Sequence, residues 1–270
     1  MNYNMICTDI DGTLLDKNRE LSTATINSIK GLDEIIETIL ISSRMPSAMY
    51  HLQEDLNIKD KPIIAYNGGL ILDQDKVLSS TTIPNSVLEA AIGLVKSTSI
   101  HLSLYQNDEW YVPEFDYWAN REANNTKVKP QRQKLEDTLA LFKQRDLGAH
   151  KIMCMGDANE IDYLYKKLED LHADEIILYR SKDTYIEIAH RSISKLTAIN
   201  TLIKAKYPET KLDNIVAFGD NYNDIEMLSK VGLGVAVENS KQAVKQVADD
   251  LTESNFNDGV ANYINKIFFD

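Results

Sequence analysis

Two aspartates, Asp9 and Asp11, stand two apart in Asp9-Ile10-Asp11-Gly12-Thr13-Leu14-Leu15, directly after the apolar run Met5-Ile6-Cys7-Thr8. On an extended chain, side chains two apart point the same way, and Gly12 lets the chain turn sharply after them. Carboxylates this close repel, so either one is protonated or both meet a cation. A hard divalent ion such as Mg2+ prefers oxygen ligands and relieves that repulsion. A bare Asp-x-Asp is more often an acidic turn at a strand end; the Gly-Thr-Leu-Leu that follows favours function. A second pair, Asp220 and Asp224, lies in Gly219-Asp220-Asn221-Tyr222-Asn223-Asp224. Four apart, they share a face if a helix starts at once. Acidic residues also suit a helix N-terminus for its dipole alone; the sharper reading is that they hold a metal jointly with Asp9.

Cations and hydroxyls complete the set. Ser42-Ser43-Arg44 precedes a predicted helix, where a hydroxyl and nearby amides suit phosphate oxygens, although a lone serine there is more often a simple N-cap. Lys195 opens another predicted helix, an end where the dipole gives lysine no reward. A cation for phosphate and a solvated surface lysine then stand about even.

The elements that must position these residues follow from periodicity and punctuation. Short strands are predicted at Met5–Thr8, Thr38–Ile41 and Pro62–Tyr66, each followed by a loop: Asp9, Ser42 and Asn67-Gly68-Gly69. Between them come a helix capped by Ser22, with apolar positions Ile26, Ile29 and Ile36, and one started by Pro46, with Met49, Leu52 and Leu56. Alternating strands and helices predict a parallel sheet with crossover helices. After Gly69 the pattern changes to hairpins (70–78, 102–112), helices at 85–97 and 161–168, and strands at 151–155, 176–179 and 185–188. The first rhythm returns with a helix from Lys195 to Lys206, strands at 215–218 and 235–237, and helices at 242–248 and 259–267. The expected architecture is α/β, with a Rossmann-like parallel core formed by 1–80 and 190–270 and an inserted α+β cap at 81–189. Open parallel sheets bind ligands outside the carboxyl ends of their strands, where Asp9, Asp11, Ser42 and Asp220 all fall.

Taken together, the Asp9–Leu15 segment, Ser42-Ser43-Arg44, Asn67-Gly68-Gly69, Lys195 and Gly219-Asp220-x-x-Asn223-Asp224 resemble the haloacid dehalogenase superfamily. They are most similar to its Cof-type phosphatases, which carry a cap between the second and third motifs. Gly234-Val-Ala-Val-Glu-Asn239-Ser240 and Asn257-Asp258-Gly259-Val260 resemble that group too. The resemblance implies that Asp9 attacks phosphorus and that Asp11 protonates the leaving oxygen and then activates water. It implies that Ser42, Ser43, Lys195 and Asn223 hold the phosphoryl group. Mg2+ would be bound by Asp9, the Asp11 backbone carbonyl and Asp220, with Asp224 binding directly or through water. Two positions depart from the pattern: Ser42-Ser43 replaces the usual Thr-Gly, and Leu196 replaces a glycine. Neither removes a group the chemistry needs. Phosphoryl transfer asks mainly for positioning and charge neutralisation, a carboxylate nucleophile divides hydrolysis into two easier steps, and the second carboxylate serves as acid and then base.

Bulk properties narrow the partners. A net charge of -12 disfavours nucleic acid and anionic lipid, so a phosphate site needs local cations. Cys7 and Cys154 lie in separate apolar runs and read as buried thiols. The first residues have no basic region or cleavable apolar segment, so a cytoplasmic protein without membrane spans is expected. Monomer and dimer stay equally open. Tyr105, Trp110, Tyr111, Phe115, Tyr117 and Trp118 crowd one stretch of the cap; most are expected in its core, with stacking on a ring-bearing substrate the rarer use. The five histidines lack metal-ligand spacing, and Arg44, Arg121 and Arg180 are expected at the surface. The expected reaction is hydrolysis of a small phosphorylated metabolite, sugar phosphates first, with pyridoxal phosphate or flavin mononucleotide next. A phosphosugar mutase, and a non-catalytic phosphate-binding or phospho-accepting regulator, are the rival readings.

Overall fold

The structure, a computed structural model, describes residues 3–32 and 36–269. In chain order its elements are β1 (Met5–Thr8), α1 (Thr23–Lys30), β2 (Glu37–Ile41), α2 (Ser47–Leu56), β3 (Ile63–Ala65), β4 (Leu70–Asp73), β5 (Lys76–Ser80) and α3 (Asn85–Val95). There follow β6 (His101–Gln106), β7 (Glu109–Val112), α4 (Tyr117–Thr126), β8 (Gln131–Arg132), α5 (Leu135–Gln144), β9 (Lys151–Met155), α6 (Ala158–His172), β10 (Ile176–Lys182) and β11 (Tyr185–His190). The chain ends with α7 (Lys195–Lys206), β12 (Ile215–Gly219), α8 (Ile225–Leu228), β13 (Leu233–Val237), α9 (Gln242–Lys245), β14 (Asp250–Thr252) and α10 (Gly259–Phe268).

The chain divides into two compact units. The first comprises residues up to Ser43, Met49–Ser79 and everything from Ser194 onward; the second is Arg44–Ala48 with Ser80–Ile193. The first unit holds an eight-stranded sheet in the order β14-β13-β12-β1-β2-β3-β4-β5. Pairing is parallel from β14 through to β3 and turns antiparallel at β3/β4. Strands such as Met5–Thr8 are buried throughout, the mark of a sheet covered on both faces. Met5, Cys7, Ile39, Ile41 and Ala217 pack with Ala198, Ile199 and Leu202 of α7 and with Met227 and Leu228 of α8. At α10, Tyr263 meets Phe218 edge-on at 5.9 Å, and Asn265 accepts a bond from Ser28 of α1. Among the described residues no helix is long and apolar enough to cross a membrane.

The second unit is a six-stranded sheet, β10-β11-β9-β6-β7-β8. It is antiparallel except at β7/β8. Alternation sorts its faces. Leu102, Leu104, Tyr111, Ile152, Cys154, Ile186 and Ile188 pack with buried residues of α3, α5 and α6, among them Leu88, Phe142 and Leu164.

Several expectations are corrected. The helix capped by Ser22 ends at Lys30, where Gly31 N–H bonds Asn27 and Ile29 carbonyls; Ile36 lies after it, just before β2, and residues 33–35 of that reading fall outside the described residues. The helix expected at 242–248 is the short α9. α4, α5, β8 and β14 went unforeseen. Of the cap aromatics, Tyr105, Trp110 and Tyr111 are buried, whereas Phe115 and Tyr117 are exposed. Arg44 is buried, not solvated, and donates to Ala48 O. Both cysteines, by contrast, are free and buried as expected.

Candidate active site

Three neighbouring parallel strands end at the same edge. Thr8 of β1 is in register with Phe218 of β12 and with Leu40 of β2. The residue that follows each strand emerges at that edge: Asp9 one place past Thr8, Asp220 two places past Phe218 and Ser42 two places past Leu40. Asp9 N–H donates to Phe218 O at 3.0 Å, and Ser42 N–H to Ile64 O at 3.0 Å, extending the ladder into the loops. Gly12 adopts φ +89°, and a Cβ there would stand 2.6 Å from Asp220 Oδ2. Only glycine allows that turn and that approach. Thr13 Oγ1 then donates to Asp220 Oδ1 at 3.2 Å.

Lys195 is the hub. Ser194 caps α7 with a reciprocal Thr197 box, which places Lys195 at the first helical position, 1% exposed. Its Nζ lies 2.5 Å from Asp9 Oδ1 and 2.5 Å from Asp224 Oδ1. Asp224 is fully buried, and its Oδ2 accepts from the N–H groups of Asp220 and Asn221, both at 3.0 Å. A 3-10 turn, Tyr222–Asp224, precedes α8, so the condition of an immediate helix is not met. Asp224 is thereby folded back under Asp220 instead of sharing a helix face with it.

The charges do not balance. Carboxylate oxygens of Asp9, Asp220 and Asp224 lie within 4.8 Å of one another, with Lys195 the ammonium bonded among them. Burial pushes the Asp9 carboxyl well above its usual range; Lys195 works against this, and Asp224 and Asp220 add to it. Asp220 is pushed up to about 6, by burial first and then by the Asp224 charge. Burial works against the Lys195 charge, but Asp224 and Asp9 outweigh it and hold the proton more firmly than usual. Clustered hard oxygens with surplus negative charge suit a divalent cation such as Mg2+.

The remaining candidates fall around this centre. Asn67 N–H donates to Ser42 O at 2.8 Å, and Asn223 Nδ2 donates to Asn67 Oδ1 at 3.0 Å. Tyr66 and Asn67 both have positive φ, 54° and 56°. Such non-glycine strain costs about 1–3 kcal/mol per residue and persists where surroundings enforce it. Ser42 is buried and Ser43 half-buried. Asp11 stands outside the carboxylate cluster, its Oδ1 paired with Arg19 Nη1 at 3.1 Å near solvent. Sequence reasoning gave no role to Thr13, Arg19, Asn67 or Asn239. The Asn67-Gly-Gly and Asn239-Ser segments were visible as motifs; Arg19 and Thr13 carried no separate signal.

A family description, haloacid dehalogenase-like hydrolase, matches residues 6–264. A Bacillus subtilis 5-amino-6-(5-phospho-D-ribitylamino)uracil phosphatase is 27% identical, covering 98% of this chain and 97% of its own. The pyridoxal phosphate phosphatase of Escherichia coli is 27% identical, covering 98% of each chain. The crystal structure of a haloacid dehalogenase-like hydrolase from Bacteroides thetaiotaomicron matches with a TM-score of 0.88 at 25% identity, covering 99% of this chain and 100% of its own.

Proposed function

We propose, for a chain that belongs to the haloacid dehalogenase-like hydrolases and is a phosphatase of that family, that it hydrolyses small phosphate monoesters through a phosphorylated Asp9. The observation that carries this is the Asp9–Lys195–Asp224 bridge beside Asp220. It presents a carboxylate at a buried site where a cation is held ready for phosphoryl oxygens.

Asp9 attacks phosphorus, and the ester oxygen leaves with a proton from Asp11. Asp11, then ionised, takes a proton from the water that attacks the phosphoryl group on Asp9, releasing phosphate and restoring both carboxyls. Lys195, the Ser42 hydroxyl, Ser43 and Asn223 hold the phosphoryl oxygens. Asp9, the Asp11 backbone carbonyl and Asp220 would hold Mg2+. Asp224, whose oxygens bond Lys195 and the Asp220 and Asn221 amides, supports that set directly or through water. Bound there, Mg2+ offsets the charge on the transferring group. Sugar phosphates are the proposed first class of substrate. The ring-bearing phosphates named for the two relatives above follow. A cytoplasmic setting agrees with two free thiols.

The test is free phosphate released from p-nitrophenyl phosphate and a panel of phosphorylated metabolites, with Mg2+ and with chelator. Release that requires Mg2+ and disappears in Asp9→Asn is expected. Full activity in that variant, or formation of an isomeric phosphate with no free phosphate, overturns the assignment.

A further inference from the structure

Three consecutive residues beyond β13 touch both acidic loops. Asn239 Nδ2 donates to Gly12 O at 2.7 Å. Ser240 Oγ donates to Gly219 O at 3.2 Å. Lys241 N–H donates to Asp220 O at 2.9 Å. Behind Asn239 stands a second amide: its Oδ1 accepts from Asn255 N–H at 3.0 Å, and Asn255 Nδ2 donates to Leu15 O at 2.7 Å. The loop that carries Asp11 is therefore held by its carbonyls at Gly12 and at Leu15, and the Asp220 loop is held from the same stretch of chain.

The Asn239 amide can face only one way. Rotated end for end, its NH2 would confront the Asn255 N–H and its oxygen would confront Gly12 O. Neither asparagine meets a carboxylate oxygen through these bonds. They act on backbone, one residue from Asp11, where a Cβ on Gly12 would collide with Asp220.

We infer that Asn239, backed by Asn255, is a positioning residue: it fixes the Asp11 loop against the Asp220 loop so that the Asp11 carboxyl reaches the leaving oxygen. This rests on the acid–base role proposed for Asp11. Asn239 is exposed, so its substitution spares the packed core. A displaced general acid harms esters whose leaving group needs a proton and spares those whose leaving group departs as a stable anion. A merely weakened fold lowers both alike.

The experiment compares kcat/KM for a hexose phosphate and for p-nitrophenyl phosphate in wild type, Asn239→Ala, Asn239→Asp and Asp11→Asn, with melting temperatures alongside. Asn239→Asp keeps the acceptor for Asn255 but loses the donor to Gly12. In both Asn239 variants, hexose phosphate turnover is expected to fall about 10- to 100-fold, the scale of a small misplacement, while p-nitrophenyl phosphate changes little. Asp11→Asn should show the same preference more strongly. Equal losses on both substrates, or none, in the Asn239 variants overturn the inference while Asp11→Asn still discriminates. If Asp11→Asn also fails to discriminate, the acid–base reading falls and the inference falls with it.

Discussion

Each unit buries a cluster of polar side chains, and the two clusters are built on opposite principles. In the second unit, Trp110 Nε1 donates to Ser103 Oγ at 3.0 Å, Ser103 meets His101 Nε2 at 2.8 Å, and His101 Nδ1 meets Asp116 Oδ2 at 2.8 Å. Asp116 Oδ1 caps α4 through Ala119 N–H. A neutral His101 completes this chain: each donor meets one acceptor, and burial holds the ring's pKa down against the pull of Asp116. In the first unit, three carboxylates converge around Lys195, and hydrogen bonds cannot cancel the remaining charge. A Ser-His-Asp row looks like catalytic machinery and an aspartate cluster looks like an acidic turn, yet the row, buried but for its half-buried Asp116 end, is satisfied and the cluster is not. The difference teaches that unbalanced charge, not residue type, marks a site: satisfied buried polar groups specify a fold, and unsatisfied charge awaits a ligand.

Substitutions sharpen the contrast. Lys195→Met should have the largest effect. It removes the bonded cation from buried carboxylates, a change that costs about 3–5 kcal/mol where a buried pair is broken, and it takes phosphatase activity to background. Chemical denaturation in chelator and free-phosphate release measure the two effects; an unaltered stability would show the cluster to be solvated. His101→Leu comes next. Leaving Ser103 and Asp116 without their partner should cost about 1–3 kcal/mol with kcat/KM unchanged. A fall in kcat/KM at full stability would give the row a functional role.

The last effect is one of pH, and its sign differs between the units. Asp220 titrates at about 6 when folded without metal, above the ordinary 3.8. The folded state then binds the proton more tightly, so its contribution is full below about 3.8 and is lost as pH rises through about 6. His150 is the reverse. Burial lowers it to about 4 from 6.5, and its ring is engaged with Ser80 Oγ and the Asn107 N–H. That contribution is present above 6.5 and is lost as pH falls through about 4. Amide hydrogen exchange in chelator, corrected for intrinsic rates, should show protection near β12 rising and protection near β9 falling between about pH 6.5 and pH 4. Parallel changes in both units would break the contrast.

The parts legible in the sequence were those written locally. Asp9, Ser42 and Asp220 each follow an apolar run, so strand ends and candidate site residues were read together, and the helix predicted from Lys195 put that residue at the α7 start. Elements without an apolar pattern were harder. α4 reads Tyr-Trp-Ala-Asn-Arg-Glu-Ala-Asn-Asn-Thr, with only Ala119 and Thr126 buried, so apolar periodicity was absent. The edge strand β14 is three residues of which none is buried. Least legible were contacts made across long stretches of chain: Asn239 to Gly12, Thr13 to Asp220 and Asn67 to Asn223. An asparagine's partner depends on where the fold brings a carbonyl, which spacing does not reveal. The ammonium of Lys195 was equally hidden, because its position at a helix start argued neither for burial nor for two carboxylate partners.

The central claim is tested most directly by catching the phosphoryl group on the protein. Wild-type enzyme and Asp11→Asn, quenched in acid during turnover of a phosphate ester with Mg2+, would be digested and mapped by mass spectrometry. The account predicts a phosphoryl adduct on Asp9, accumulating in Asp11→Asn, whose hydrolysis step is slowed, and missing from Asp9→Asn. Sustained phosphate release with Asp9 unmodified at every quench time, or with the adduct on another residue, would contradict it.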